Sequence, residues 1–311
     1  IRYVVAISGE SIAHGYQEHL ARIAKSKGLS VCRRCERGEF VKRGTDEHVR
    51  EDNLTPPSSA SENELHRFEK DVIIKCVVED IGGFMYPGKY PVKRTSCIQF
   101  GYLLPALDEI KACALEPQFH VRHSPTAGAA ERAQMIYYVE TGSAIYVISS
   151  AIDVSKIGCT SMIKRELVIS EDERRKRIEA AIEAWYLTIA QGKFGAKQSR
   201  FLPDYQVLSM VATISHGTLF NVKSGHKRSY VIDTIDSAKR FSKIIGSKVT
   251  VIGYIGDLDE KVLKLGDLEK ALKEMRDKNM EEYRGDAYIL VNSPDRVFEL
   301  IKEIVLKEGT S

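Results

Sequence analysis

The stretch that decides the fold class is SEDERRKRIEAAIEAWYLTIAQGKFGAKQSRFLPDYQVLSMVATI, residues 170–214. Residues 170–190 begin with three acidic residues, continue with basic ones and then repeat apolar residues at helical spacing, which predicts an amphipathic helix. Gly192 ends that pattern, and the apolar residues 207–214 have the character of a strand. A helix, a glycine-rich loop and a strand in succession indicate a protein that mixes α and β structure.

Helical and strand-like segments alternate loosely on both sides of this stretch. The predicted helices are 11–27, ending at Gly28, and 234–244, 265–280 and 294–306. The strand candidates are 1–7, 72–78, 98–104, 118–121, 135–152 (one long or two short strands), 249–255 and 287–291. Residues 42–66 are polar and contain Pro56 and Pro57, which predicts an exposed insertion. We therefore predict an α+β fold, with an antiparallel-rich sheet that carries helices on one face and leaves the other face free for a ligand.

Composition limits the class of protein. The 311 residues are 43% hydrophobic and 29% charged, as in a soluble globular protein with a sizeable core. No run approaches the roughly 18 apolar residues that a membrane helix needs, so we expect no membrane partner. The six cysteines are scattered through a chain too large to depend on disulfides, which favours a reducing, cytoplasmic location.

The charge is distributed unevenly along the chain. The net charge is only +3, but residues 193–228 contain six Lys/Arg and one Asp, a local charge of +5. Residues 257–311 contain 14 Asp/Glu and 10 Lys/Arg, a local charge of −4. This asymmetry indicates one basic working face, or subunits that meet basic face to acidic face.

The glycine-rich loop 191–203 has the chemistry of a single-strand nucleic-acid contact. It combines two glycines, which permit close approach of the backbone, with two phenylalanines that can stack on bases. Its cations Lys193, Lys197 and Arg200 can attract phosphate. The alternative interpretation is a glycine helix stop followed by a solvated turn.

Two further segments could hold an anion. Lys93, Arg94 and Ser96 leave a glycine-rich loop and can reach phosphate oxygens, although a solvated hairpin tip explains them equally well. Ser8 opens the first predicted helix, where it could direct backbone N–H groups at an anion or simply cap the helix. His14 lies on the following turn and Gln17 on the next.

His120 and Arg122 form the strongest candidate for catalysis. Alternation along a strand places both, with Ser124, on one side. His120 could serve as a general base, as in metal-free ribonucleases. The sequence offers no nearby carboxylate to orient the imidazole, so we favour contact with phosphate or a base over catalysis.

Cys32 and Cys35 have the spacing of half a zinc site or of a redox pair. A structural zinc site needs four ligands, and no second pair follows, so the default interpretation is an incidental pair and we expect no metal. The sequence also lacks a phosphate-binding Walker loop, a dinucleotide fingerprint and a nucleophile elbow, so we expect no cofactor. Several basic loops without a catalytic set favour binding over catalysis.

A series of motifs adds a resemblance to this interpretation. In order they are ISGESIAHGYQ (7–17), DIGGFMY (80–86), KRTS (93–96), Gly101-Tyr102, QFHVR (118–122) and the 192–203 loop. Over residues 1–215 this order closely resembles the archaeal CRISPR-associated DevR-type family, the backbone subunits of type I-A Cascade interference complexes. That family lies within the repeat-associated mysterious protein (RAMP) superfamily.

The resemblance implies a modified RRM-like (ferredoxin-like) fold. It implies one core domain over residues 1–311, with insertions at about 42–70, 80–134 and 153–170. Copies of the protein would assemble along the spacer of a single-stranded CRISPR RNA, together with other Cascade subunits, and present the guide for pairing with target DNA. No catalysis would be expected. The RNA contacts that it implies are Ser8, His14, Gln17, Lys93, Arg94, Ser96, His120, Arg122, Lys193, Lys197 and Arg200.

Two other functions stay open from the sequence. One is a RAMP-type endoribonuclease that processes CRISPR RNA with His120 or His14 as general base. The other is an interaction module stabilised by zinc at Cys32 and Cys35.

Overall fold

A computed structural model describes residues 3–106, 116–122, 135–195, 198, 202–256 and 263–308. The first element is helix α1 (Gly9–Ser26), which the Ser8 side chain caps by accepting a hydrogen bond from the Ser11 N–H at 3.2 Å. The helix ends where Gly28 takes a φ of 72°, as its sequence predicted. Before α1, the predicted strand 1–7 is reduced in its described part to one bridge between Ile7 and Leu103.

The region between α1 and the first hairpin is helical. It holds α2 (Arg33–Glu36), α3 (Asp46–Glu51), α4 (Glu62–Lys75) and α5 (Val77–Gly82). The prediction of a strand at 72–78 is therefore wrong, because this apolar run is the buried junction of α4 and α5. The prediction that 42–66 is wholly exposed is also wrong, because Arg43, Val49 and Asp52 are buried within it.

Short antiparallel strand pairs follow. Strand β1 (Phe84–Tyr86) pairs with β2 (Val92–Arg94), and β5 (Glu116–Arg122) pairs with β6 (Met135–Thr141). Strand β3 (Ile98–Phe100) pairs with β8 (Ser150–Ile152), and β4 (Leu104–Pro105) pairs with β7 (Tyr146–Val147). The predicted strand region 135–152 thus contains three strands in place of one or two.

Helix α6 (Glu171–Ile189) matches its prediction and is capped by Ser170. A four-stranded sheet follows in the order β11-β12-β10-β9. Its strands are β9 (Ser209–Ser215), β10 (Val249–Ile255), β11 (Glu282–Arg284) and β12 (Tyr288–Val291). Helices α7 (Tyr230–Ile245), α8 (Leu268–Asp277) and α9 (Pro294–Glu308) complete this half.

Helices cover both faces of this sheet, in contrast to the prediction of helices on one face. Ile252 of β10 packs into the cluster that contains residues of α1, α6 and α9. Val249 and Val251 pack into the opposite cluster, which contains residues of α7 and α8. Most of β10 is buried on both sides, so this sheet offers no open face for a ligand. The sheet is also mixed, because β10 and β12 run parallel.

In the described ranges, no helix combines the length and apolar character that crossing a membrane would require.

Candidate nucleic-acid interface

A cavity of about 380 Å³ lies against the first turns of α1. One wall is a single face of that helix, because Gly9, Ala13 and Gln17 follow each other at four-residue spacing. The other wall is extended chain, in which alternate residues point to the same side. These residues are Ser96, Ile98, Phe100 and Tyr102.

Gln17 lines this cavity, and its side chain carries an unpaired acceptor beneath the surface. Its side chain is only 6% exposed, and its amide nitrogen donates to the Ala13 carbonyl at 2.9 Å. Its amide oxygen is buried without a hydrogen-bond partner. Gly82 makes room for this oxygen, since a Cβ there would lie 2.9 Å from it. A buried carbonyl oxygen without a donor costs about 1–3 kcal/mol, so a ligand that donates a hydrogen bond here would recover that free energy.

Lys42 supplies a cation to the same cavity. Its ammonium group donates to the Gly82 carbonyl at 2.9 Å, and burial lowers the pKa of this lysine. The backbone of Lys42 has a φ of 48° and that of Arg43 a φ of 63°, which is uncommon for residues other than glycine. The left-handed turn therefore holds Lys42 at the wall of the cavity.

Tyr102 lies at the open end. This residue is 63% exposed, whereas Ile98 on the same wall is buried. An exposed aromatic ring beside a cation and a buried acceptor can stack on a nucleobase. Ser96 is the first residue of this wall, and its hydroxyl donates to the Ile98 carbonyl at 2.6 Å.

The glycine-rich loop packs against a different side of α1. Phe194 is buried against this helix, with its Cα 2.9 Å from where a Cβ on Gly15 would lie. One turn further on, the His19 imidazole donates to the Lys193 carbonyl at 2.6 Å. The Lys193 side chain is exposed. Helix α1 therefore brings the cavity and the first cation of the loop onto one element.

Ser8 and His14 have local partners. The Ser8 hydroxyl oxygen is engaged as the cap of α1, which is the ordinary helix-capping alternative that the sequence left open. The exposed His14 ring lies 3.4 Å from the Glu18 carboxylate and packs edge-on against Phe40 at 4.9 Å between ring centroids.

Lys93 and Arg94 are separated by the alternation of β2. Lys93 is exposed, whereas Arg94 is only 4% exposed. The Arg94 guanidinium donates to the Asp80 carboxylate at 2.6 Å and to the Cys159 carbonyl at 2.5 Å. It also donates to the carbonyls of Asp80 and Lys156. The Arg94 side chain thus joins interior segments, and we leave it out of the proposed interface.

His120 and Arg122 lie on β5, opposite Tyr137 and Met135 of β6 respectively. The structure describes the backbone of this strand pair, so their assignment as RNA contacts stays a prediction. Lys197 and Arg200 lie outside the described residues.

The side chains that line the cavity are suited to binding a ligand. Of the described residues that line it, Glu10 is acidic and Lys42 is basic, and none is a histidine or a cysteine. Sequence reasoning missed both of these residues as well as Phe100, and it included Tyr102 only in a family motif, without a role as a contact. The alternation of Ser96, Ile98, Phe100 and Tyr102 was a signal for one wall, whereas nothing local to Lys42 indicated its place.

Comparison with known proteins identifies the same family that the sequence motifs resemble. Residues 1–235 match the family described as "CRISPR-associated negative auto-regulator DevR/Csa2". A "CRISPR-associated aCascade subunit Cas7/Csa2 2" of Saccharolobus solfataricus is 41% identical over 242 residues, which cover 76% of this chain and 73% of that protein. A "CRISPR-associated protein Cas7/Csa2 1" of the same organism is 35% identical over 260 residues, covering 82% of this chain and 79% of that protein.

A chain of a solved "CRISPR RNA-guided surveillance complex, pre-nicking" is similar in structure, with 9% sequence identity and a TM-score of 0.45. The similarity covers 97% of this chain and 90% of that one. That score is too low to establish a shared fold.

Proposed function

Because this chain belongs to the CRISPR-associated DevR/Csa2 family, we propose that it is the RNA-binding backbone subunit of a Cascade interference complex and performs no catalysis itself. Copies polymerise along the spacer of the CRISPR RNA in a type I-A complex and present the guide for pairing with target DNA. The observation that carries this proposal is the cavity on α1. It combines the unpaired Gln17 oxygen, the Lys42 ammonium group and the exposed Tyr102 ring.

The three groups suit one nucleotide of a single strand. Tyr102 stacks on the base, and Lys42 attracts the phosphate. The Gln17 oxygen accepts a hydrogen bond from an exocyclic amine or from a ribose 2′-hydroxyl, which distinguishes RNA from DNA.

Contacts beyond the cavity extend the RNA path. The Lys193 side chain is exposed on the loop that packs against the Gly15 and His19 side of α1. The RNA backbone runs from the cavity across α1 to this loop. The exposed Lys93, near the Ser96 wall, adds a phosphate contact at the other end. His120, Arg122, Lys197 and Arg200 are further contacts under this proposal.

The same proposal covers the organisation of the chain. The chain forms one RRM-like core over 1–311, with insertions at about 42–70, 80–134 and 153–170. Neighbouring copies meet through oppositely charged regions, the +5 of residues 193–228 and the −4 of residues 257–311. Other Cascade subunits bind the ends of the polymer.

Binding of labelled single-stranded RNA, measured by fluorescence anisotropy, tests the proposal. Tyr102→Ala removes a stacking ring worth about 1–3 kcal/mol per base, so we expect the Kd to rise about 5- to 150-fold. Tyr3→Ala, at another exposed tyrosine, is the matched control and should bind as the unsubstituted protein does. Equal affinities for all three proteins, or no RNA binding at low salt, would contradict the proposal.

The same RNA, separated on a denaturing gel after incubation, tests the absence of catalysis. We expect the RNA to stay intact. Specific cleavage that is lost in His14→Ala or His120→Ala would replace the scaffold with an endoribonuclease.

A further inference from the structure

Three cysteine thiols that take no part in the proposed function converge in the interior. The sulfur atoms of Cys32, Cys35 and Cys76 all lie within 4.8 Å of one another. Their residues are 2%, 1% and 0% exposed. The sequence indicated only Cys32 and Cys35 as a pair, and the argument against a metal site was the absence of further ligands. The fold brings Cys76 to them as a third possible ligand.

Two chain segments are fixed together at this point. Cys32 precedes α2 and Cys35 lies within it, whereas Cys76 joins α4 to α5. The Val77 N–H donates to the Ser30 carbonyl at 3.0 Å, and the Ser30 hydroxyl donates to the Lys75 carbonyl at 2.6 Å. These backbone contacts hold the third thiol beside the first two.

We propose that the thiolates of Cys32, Cys35 and Cys76 bind one zinc ion, which joins the segment around α2 to the junction of α4 and α5. Zinc binds thiolate sulfur at about 2.3 Å, which places the sulfurs of a tetrahedral site about 3.8 Å apart. From a spacing within 4.8 Å, closing the site needs side-chain movements of no more than about 1 Å.

Charged groups of both signs surround the cluster. Arg43 and Lys42 lie close enough to interact electrostatically with the thiols, Arg43 with Cys32 and Lys42 with Cys35 and Cys76. Arg43 also pairs with the buried carboxylates of Asp52 at 2.6 Å and Glu79 at 2.7 Å, so Lys42 is left to offset the net charge of −1 that three thiolates and one Zn²⁺ carry.

The fourth ligand is a water molecule. In the part of the chain that the structure describes, no other His, Cys, Asp or Glu atom joins the cluster within 4.8 Å. Three protein ligands with water in the fourth position is the arrangement of catalytic zinc sites, whereas structural sites normally have four protein ligands. The proposed ion is nevertheless structural in its effect, because its ligands come from two segments that it holds together.

Metal analysis of the purified protein in reducing buffer tests the proposal. We expect about one zinc per chain. Cys76→Ser should lose most of this zinc, whereas Cys159→Ser, at a buried cysteine outside the cluster, should keep it. Because Cys76→Ser also alters the core, the unsubstituted protein provides the decisive measurement.

Titration of the unsubstituted protein with an organomercurial that blocks thiols should release the zinc, detected with a chromogenic chelator. Replacing zinc by Co²⁺ should give the intense sulfur-to-cobalt absorption of thiolate ligation. A folded protein that contains no zinc, takes up none at micromolar free zinc and shows no such band would overturn the proposal. A Cys32–Cys35 disulfide in metal-free protein, seen as a mass loss of about 2 Da, would overturn it in favour of a redox pair. RNA binding is measured separately, so the two proposals can fail independently.

Discussion

Asp80 and Arg177 form an ion pair in which both side chains are completely buried, with Arg177 Nη1 2.8 Å from the Asp80 Oδ2. The other carboxylate oxygen accepts from Arg94 at 2.6 Å. The Gly158 N–H donates to the same carboxylate at 3.0 Å. One carboxylate therefore holds two interior cations, from β2 and from α6, and a loop between them.

We expect Asp80→Asn to lower the free energy of unfolding by about 3–5 kcal/mol, because it removes the negative charge that the buried guanidinium groups of Arg94 and Arg177 share. Urea denaturation measures the change. Asp71→Asn is the control: Asp71 pairs with Arg67 at 2.8 Å and both side chains are 35% exposed, so this solvent-accessible pair should contribute no more than about 1 kcal/mol. A loss no larger than the control's would show that the buried pair contributes little.

Arg94 and Lys93, although adjacent, should respond in opposite ways. Lys93→Ala should leave stability nearly unchanged and reduce the salt dependence of RNA binding by about 0.7 in the logarithmic slope, the loss of one phosphate contact. Arg94→Lys should keep that slope and lower the free energy of unfolding by about 1–3 kcal/mol, since buried acceptors lose their donors. RNA titrations at several salt concentrations and urea denaturation separate these outcomes. A reduced slope in Arg94→Lys would restore Arg94 to the interface.

Gly15→Ala should destabilise the protein, against the usual trend. In a helix interior this change normally stabilises by about 1 kcal/mol. Here the new Cβ would lie 2.9 Å from the Phe194 Cα, which is backbone and cannot rotate away. We expect a net loss of about 1–3 kcal/mol and weaker RNA binding, because the glycine-rich loop must move off α1. A protein as stable as the original would mean that the loop does not depend on this contact.

Glu64 should make the stability of the protein depend on pH in the acidic range. Hydrogen bonds from Arg67 and Ser58 lower the pKa of this carboxyl from 4.5 to about 2. Since the pKa is lower in the folded protein, the stabilisation is complete above pH 4.5 and is lost as the pH falls through 2. Glu64→Gln should therefore lower the Tm at pH 7, and the difference should shrink below pH 4.5. Glu62→Gln, in the same turn, is the control; a difference independent of pH would contradict the assignment.

The sequence predicted most accurately the helices that have a capping serine at their start or a glycine at their end. Ser8 and Ser170 cap helices, and Gly28 ends one, at the predicted places. The run 72–78 was misassigned because six of its seven residues are apolar, and the sequence alone does not show which of them are buried. In the structure Val72, Ile73, Cys76 and Val77 are buried and Ile74 is 43% exposed, but a short apolar run does not by itself distinguish a helix from a strand.

The candidate site was less predictable, since its parts depend on distant partners. A cation after a glycine-rich loop indicates a phosphate contact. Arg94 instead donates to the Asp80 carboxylate in the interior, and no sequence pattern reveals that pairing. The packing of α4 and α5 places Lys42 at the cavity and Cys76 in the thiol cluster. Gln17 was identified from the family motif, and the structure adds that its oxygen is unpaired.

Helix α1 is in contact on nearly every side, and this restricts which substitutions it can accept. Tyr16 donates to the Ala181 carbonyl of α6, Gln17 lines the cavity and Gly15 meets the loop. The exposed positions form one narrow stripe at Glu10, His14, Arg22, Lys25 and Ser26, with the half-buried Glu18 within it. In a scan of every substitution, tolerance along α1 should rise and fall once per helical turn. Variation among related chains should concentrate on that stripe.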